Sequence, residues 1–350
     1  MSLSYIGEIL LTFFQLTKFL YFLNPINVGL SHSPTPKPLD QDIYANLFTY
    51  AHLIDISYCI SSVSKIKEPF SCDLSCESRF PNLTLIHQWS YDDSVTGYIA
   101  TTYSNIFYYN ETLQGIDKKK KTIIVSLRGT RSIFDSYADL KMDMVSYTNK
   151  NIYLPKCGDR CKVHKGFHDY YTHTLLNIQQ VLETELKSSE DYELLLLGHS
   201  MGGSVALLIG LHYLDLGYNN MTLVTMGQPL MGNKEFVNWV DLVTGSNYPA
   251  RHNSFQRKYF RVIHKDDIVT TIPKGDGLLY SYHQFDNQIY LNCSASNRVP
   301  FYDQVVDCIY GDNENCIERD FQGISYINKD YFRSHNTYFR RLGLCGMRIK

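Results

Sequence analysis

The alternation of apolar and polar positions divides the chain into strand and helix segments in regular succession. "KTIIVSLRGT", "DYELLLLGHS" and "MTLVTMGQP" are short apolar runs bounded by turn residues, the pattern of strands buried on both faces. "KYFRVIHKDD" is a fourth run, ending in two acidic residues. Between these runs, "HKGFHDYYTHTLLNIQQVLETEL" and "GGSVALLIGLHYLDLG" have helical character, the second closed by Gly217. Nearer the N-terminus, "DQDIYANLFTYAHLIDISYC" places Leu47, Ala51 and Ile54 at helical spacing behind cap-forming Asp and Gln, and "GYIATTYSNIFYY" alternates like a strand pair. The succession predicts an α/β fold: a mostly parallel central sheet with crossover helices.

The first residues follow a different pattern. "IGEILLTFFQLTKFLYFL" is apolar, but Glu8 and Lys18 break it and no basic start precedes it, so it reads poorly as a membrane span. Residues 1–31 are expected to be a signal peptide or N-terminal hydrophobic segment, with Gly29-Leu30-Ser31 a cleavage candidate. A docked N-terminal helix is the alternative. "SPTPKP" then marks residues 32–40 as an extended propeptide or linker. Without internal repeats, 41–350 reads as one domain.

Composition narrows the function classes. With 44% hydrophobic and 19% charged residues, the 350-residue chain can bury a sizeable core. A net charge of -2 offers no basic excess for nucleic acid. The lysine run at 118–121 precedes an apolar strand and fits a solvated loop better than a phosphate or headgroup site.

Nine cysteines include three locally spaced pairs, Cys72/Cys76, Cys157/Cys161 and Cys308/Cys316. They accompany four N-x-S/T sequons, at Asn82, Asn110, Asn220 and Asn292, and together favour an oxidising, glycosylating secretory route. Cys157, Cys161 and His164 also suit zinc, but a fourth ligand is not evident and a short disulfide loop is preferred. One cysteine of nine is left over; Cys293, inside its sequon, is the candidate.

Gly198-His199-Ser200-Met201-Gly202 matches G-x-S-x-G between a predicted strand and a predicted helix. There a serine on a tight turn projects its hydroxyl beside a helix N-terminus, whose N–H groups suit a developing oxyanion. A serine nucleophile needs a base and an orienting acid, expected in the chain order Ser, Asp/Glu, His. Asp266 and Asp267 close a strand at the carboxyl edge, whereas Asp276 in "KGDG" suits a turn. Of the two later histidines, His335 in a short polar loop is preferred to His283 in a strand-like aromatic run. Thr130, after "SLRG", is placed to supply a second oxyanion N–H alongside Met201. In "RSIFDSYADL", Ile133, Phe134, Tyr137 and Leu140 fall at helical spacing, which fits a core-facing helix or a mobile lid equally well.

Taken jointly, "SLRGT", "VHKGFHDYY", "GHSMGGS", "MGQPLMGN", "DIVTTIP" and "SHNTYF" resemble the fungal class 3 lipases, of the α/β-hydrolase fold, over most of the chain. The cysteine pattern resembles the extracellular yeast branch. The resemblance implies Ser200 as nucleophile, Asp267 as acid and His335 as base, with an oxyanion hole at Thr130 and Met201. It also implies a short helical lid over 131–139 bearing Ile133, Phe134 and Tyr137, with Asp139 helping to fix Thr130. It makes His164 and His283 structural, and implies bridges Cys59–Cys345, Cys72–Cys76, Cys157–Cys161 and Cys308–Cys316, leaving Cys293 unbridged. Met201 stands in place of the commoner Leu, Thr270 in place of a frequent Pro, and the Asp266-Asp267 doublet departs from the pattern.

The expectation is a secreted, glycosylated, monomeric triacylglycerol lipase working at a lipid–water interface without metal or organic cofactor; retention on a secretory-pathway membrane or cell wall is the alternative location. A feruloyl-type or short-chain carboxylesterase is the rival within the fold. A non-catalytic surface or binding protein is the rival outside it.

Overall fold

The computed structural model describes residues 35–91, 95–107, 120–130, 142–251, 255–273, 281–297, 299–316 and 333–345. Among these the strands are β1 (Lys37–Pro38), β2 (Thr84–Trp89), β3 (Gly97–Thr102), β4 (Lys121–Leu127), β5 (Met144–Ser146), β6 (Lys162–His164), β7 (Tyr192–His199), β8 (Met221–Met226), β9 (Tyr259–His264), β10 (Gln288–Leu291) and β11 (Val305–Asp307). The helices are α1 (Gln41–Ser57), α2 (Cys76–Arg79), α3 (Lys165–Lys187), α4 (Met201–Asp215) and α5 (Lys234–Thr244).

Nine strands form one sheet in the order β1-β11-β10-β9-β8-β7-β4-β3-β2. From β4 to β10 the pairs are parallel, β7 lying between β4 and β8. Antiparallel strands close both edges, β2 and β3 on one side, β11 and β1 on the other. β5 and β6 pair separately.

The four leucines of β7 show why the sheet is buried on both faces. Side chains alternate along a strand, so Leu195 and Leu197 enter one core with Ile124, Val224 and α1's Leu47, Leu53 and Ile54. Leu194 and Leu196 enter the other, with Ile178 and Leu182 of α3, Val205 and Leu208 of α4, and Phe236 of α5. Full burial of one such side chain contributes about 1.5–3 kcal/mol. α1 begins where its sequence suggests: the Asp40 side chain accepts from the Asp42 and Ile43 amides.

Some expectations change. Lys37 and Pro38, read as linker, pair with β11, and Leu39 is buried, so the sheet takes in the end of that segment. "GYIATTYSNIFYY" contributes one described strand, β3, which finds its partners in β2 and β4 rather than in the residues that follow it. Residues 281–285 of "YSYHQF" form no strand: His283 lies in irregular chain, its amide bonded to the Gly232 carbonyl. Residues 1–31, the sequon at Asn110, and Ile133, Phe134 and Tyr137 lie outside the described residues.

Candidate active site

Ser200 joins β7 to α4 with φ 57° and ψ -132°, a conformation that costs a non-glycine residue energy and that a tightly packed surround must hold. The glycines around it explain how. A Cβ at Gly198 would stand 2.4 Å from the Gly202 carbonyl oxygen, and one at Gly202 would stand 2.7 Å from the carbonyls of Leu127 and Arg128. At Gly129 a Cβ would stand 2.7 Å from Cβ of Ser200. The exit of β4, the serine and the first turn of α4 therefore meet closer than any side chain allows. The Ser200 amide donates to Met226 O at 2.9 Å, tying the turn to the end of β8. Serine at a helix start usually caps it; here the hydroxyl makes no cap bond to the helix.

Asp267 follows β9, two strands along the same carboxyl edge, and His335 sits in a helical turn at 333–335 instead of the expected loop. Nδ1 of His335 lies 3.0 and 2.9 Å from the two Asp267 carboxylate oxygens, and both side chains are buried. Of the Asp266-Asp267 doublet, Asp267 is therefore the carboxylate that reaches the imidazole. Gly227, at φ 63°, allows this packing: a Cβ there would lie 3.0 Å from Asp267 Oδ2 and from His335 Cε1. The ring of His199, next to Ser200 in sequence, lies 4.7 Å from that of His335, so the edge brings serine, imidazole and carboxylate into one cluster.

A second set of groups holds the first. The Tyr338 hydroxyl donates to Asp267 Oδ2 at 2.5 Å and accepts from the His264 amide, while Asp267 Oδ1 accepts from the Val269 amide. Burial pushes the Asp267 carboxyl up, but the charge and hydrogen bond of His335 and the Tyr338 hydroxyl together hold it below the usual carboxylate range. His199 Nε2 lies 2.8 Å from the backbone oxygen of His335. A carbonyl only accepts, so Nε2 carries the proton, and Nδ1 accepts from the Tyr58 hydroxyl at 2.6 Å. Burial, then the nearby His335, lowers the His199 pKa to about 3, so this ring stays neutral. Arg261, fully buried in β9, donates to the carbonyls of Gln228 and Thr270, bracing the turns after β8 and after Asp267.

Other expected residues fall as follows. Thr130 is half-buried in the β4 exit that Gly129 presses against Ser200, and Met201 is the first residue of α4, among the amides a helix leaves without an internal partner. His164 accepts the Phe167 amide as the N-cap of α3, and Cys157 is bridged to Cys161, so these three do not form a zinc cluster. The other bridges join Cys59 to Cys345, Cys72 to Cys76 and Cys308 to Cys316; Cys293 keeps a buried thiol. Asn82, Asn220 and Asn292 are exposed. Sequence reasoning missed Tyr338, Tyr58, His199 as a support, and Arg261. The available signals were an arginine inside an apolar strand and a tyrosine three residues after His335.

A strained serine between a parallel strand and a helix, with an Asp–His pair from later in the chain at the same sheet edge, defines a serine hydrolase of the α/β-hydrolase fold. Residues 124–276 match the family described as Lipase (class 3). Lipase A of Sodiomyces alcalophilus is 28% identical over 365 residues, covering 90% of this chain and 85% of that protein. The secreted mono- and diacylglycerol lipase 2 of Gibberella zeae is 27% identical over 342 residues, covering 92% and 81%. The crystal structure of Lip2 lipase from Yarrowia lipolytica matches with a TM-score of 0.72 at 29% identity, over 90% of this chain and 99% of that one. The match to class 3 lipases thus lies over residues 124–276, and these lipases are similar to the chain over about 90% of its length.

Proposed function

We propose that the protein is a secreted lipase that hydrolyses the carboxylic esters of acylglycerols, triacylglycerol among them, through Ser200, His335 and Asp267. Because the carboxylate accepts from Nδ1 of His335, Nε2 is the basic nitrogen. Nε2 takes the Ser200 proton as Oγ attacks the ester carbonyl carbon. The tetrahedral oxyanion is received by the N–H groups of Thr130 and Met201. Its collapse breaks the bond to the glycerol oxygen, which leaves with the proton from His335. Water, deprotonated by the same nitrogen, then attacks the acyl-serine and releases the fatty acid. None of these steps calls on a cofactor.

The observation that carries the proposal is the buried His335–Asp267 pair beside a strained serine whose hydroxyl does not cap its own helix. The names of the relatives support acylglycerols as the substrate class. The apolar positions Ile133, Phe134 and Tyr137 support a lid over 131–139 that opens at a lipid–water interface. Bridged cysteines and exposed sequons support secretion, with residues 1–31 removed as a signal peptide, and the enzyme acts as a monomer. No helix among the described residues is long and apolar enough to cross a membrane.

The test is hydrolysis of an emulsified long-chain triacylglycerol by the wild type and by Ser200→Ala. The wild type should be active and the variant should lose at least about a thousandfold in rate. Equal rates, or none in either, would refute the assignment. Tributyrin separates the lipase from the soluble-ester enzyme: a rise in rate above its solubility limit marks the first, plain saturation the second.

A further inference from the structure

An open cleft of about 640 Å³ lies outside the catalytic cluster, between the first turns of α1, the turn after α2 and the chain leaving β3. Phe48, Phe80, Ile106 and Phe107 give it an apolar wall, and Arg79 and Asn82 stand on its polar side. That volume falls within the range of small-molecule sites. One lining residue already specifies a ligand: Asn82 opens the sequon Asn82-Leu83-Thr84 and is exposed.

The local chain fixes where that side chain stands. The Leu83 amide donates to Phe80 O at 3.1 Å, making Phe80-Pro81-Asn82-Leu83 a β-turn with proline at its second position, where its fixed φ is favoured. Phe80 and Leu83 are both buried, so the turn is pinned at both ends and Asn82 is held at the rim of the cleft. A sugar linked to its Nδ2 is tethered to a cleft that Phe48, Phe80 and Phe107 also line. Pyranose rings present an apolar C–H face and a rim of hydroxyls, which suits a surface of aromatic rings edged by amide and guanidinium groups. The exposed sequons at Asn220 and Asn292 do not line this cleft.

We propose that Asn82 carries an N-linked glycan whose first N-acetylglucosamine seats in this cleft and stabilises the fold, in contrast to glycans at Asn220 or Asn292, which only project into solvent. The proposal rests on the secretory reading above, and the experiment separates the two. The full chain is secreted from a eukaryotic host, its sequons are mapped by glycopeptide mass, and thermal unfolding is followed before and after enzymatic trimming. Asn82 should be occupied. Trimming to a single N-acetylglucosamine should leave the midpoint unchanged, whereas complete removal, or Asn82→Gln, should lower it by about 2–4 °C. Asn220→Gln and Asn292→Gln should not move it. Amide exchange at 104–107 should quicken only when the first sugar is lost, and Ile106→Ser should shrink the difference between the glycosylated and stripped forms. If Asn82→Gln is not secreted, enzymatic removal from the wild type gives the same comparison. Glycans at other sequons with Asn82 empty, or an occupied Asn82 whose removal changes neither midpoint nor exchange, overturn the proposal while secretion stands. A chain that stays inside the host cell and carries glycan at no sequon overturns both.

Discussion

Two buried aspartates at opposite edges of the sheet meet opposite fates. Asp267 follows β9 at the carboxyl edge; Asp241, on α5, bonds to the residues that lead into β10 at the amino edge. Their exposures are similar, 2% and 6%. Both accept backbone amides, Asp267 from Val269 and Asp241 from Asp286 and Asn287. Yet Asp267 is held below the usual carboxylate range, while burial pushes Asp241 up to about 7. What differs is the partner. Asp267 faces the imidazole of His335, which can carry a positive charge, and the Tyr338 hydroxyl. Asp241 faces neutral donors and a second carboxylate, Asp286, itself raised by burial. Neutral hydrogen bonds leave part of the desolvation of a carboxylate uncompensated, whereas an ionisable partner reverses it. A carboxylate held ionised beside an imidazole can serve an acyl-transfer reaction; one held near neutrality by its own surroundings serves the scaffold.

The harshest way to break this contrast is to remove the charge at the catalytic edge. Asp267→Asn keeps an acceptor toward Val269 but no longer holds His335 in the tautomer with a basic Nε2. On the pattern of serine triads, kcat should fall by about 10⁴ with KM little changed. Steady-state kinetics on a soluble ester measure this apart from interfacial binding, and a loss below tenfold would remove Asp267 from the mechanism.

Tyr338→Phe is milder. It deletes one donor to a charged acceptor, worth about 1.5–3 kcal/mol, so kcat should drop roughly 10- to 100-fold if that bond is fully expressed in the transition state. Without the hydroxyl the Asp267 carboxyl moves back up, so the acid limb of the rate profile should shift to higher pH. An unmoved limb would make Tyr338 a packing residue only. A smaller loss is expected at His199: His199→Phe removes the donor to the His335 carbonyl and should cost about fivefold in kcat, about 1 kcal/mol, with His199→Gln recovering part of it. Equal rates for the two variants would mean that the bond does not position the base.

The parts of this arrangement legible in the sequence are those whose physics is local. Gly198, Ser200 and Gly202 declare a tight turn by spacing alone, and the leucines of β7 declare a strand buried on both faces. The acid was narrowed only to Asp266 or Asp267 from the residues themselves, because neighbours on a strand end point in different directions and tertiary packing decides between them. Tyr58 and His199 meet across 141 positions, and nothing local in either segment announces the bond. Arg261 sits in an apolar strand because four acceptors surround it, one on the neighbouring strand β10 and three from chain segments outside the strands, a circumstance that composition does not reveal. Lys37 and Pro38 read as linker because a two-residue edge strand has no periodicity to detect.

A change with no expected effect on catalysis tests the other edge. Since Asp241 titrates at about 7 in the folded protein and near 4 when unfolded, the native state keeps a proton that the unfolded chain releases between those values. Stability from this residue is therefore fully present below about pH 4 and is lost as pH rises through about 7, by at most about 1.4 kcal/mol per pH unit. Asp241→Asn stays neutral throughout and keeps an oxygen for the Asp286 and Asn287 donors. Catalysis at neutral pH should be unchanged. The unfolding midpoint of the wild type, measured against that of the variant, should decline from pH 4 to 7 and level off above pH 8. A difference that stays flat across that range would mean that Asp241 is ionised in the fold like Asp267, and that the charge of the partner is not what separates the two edges.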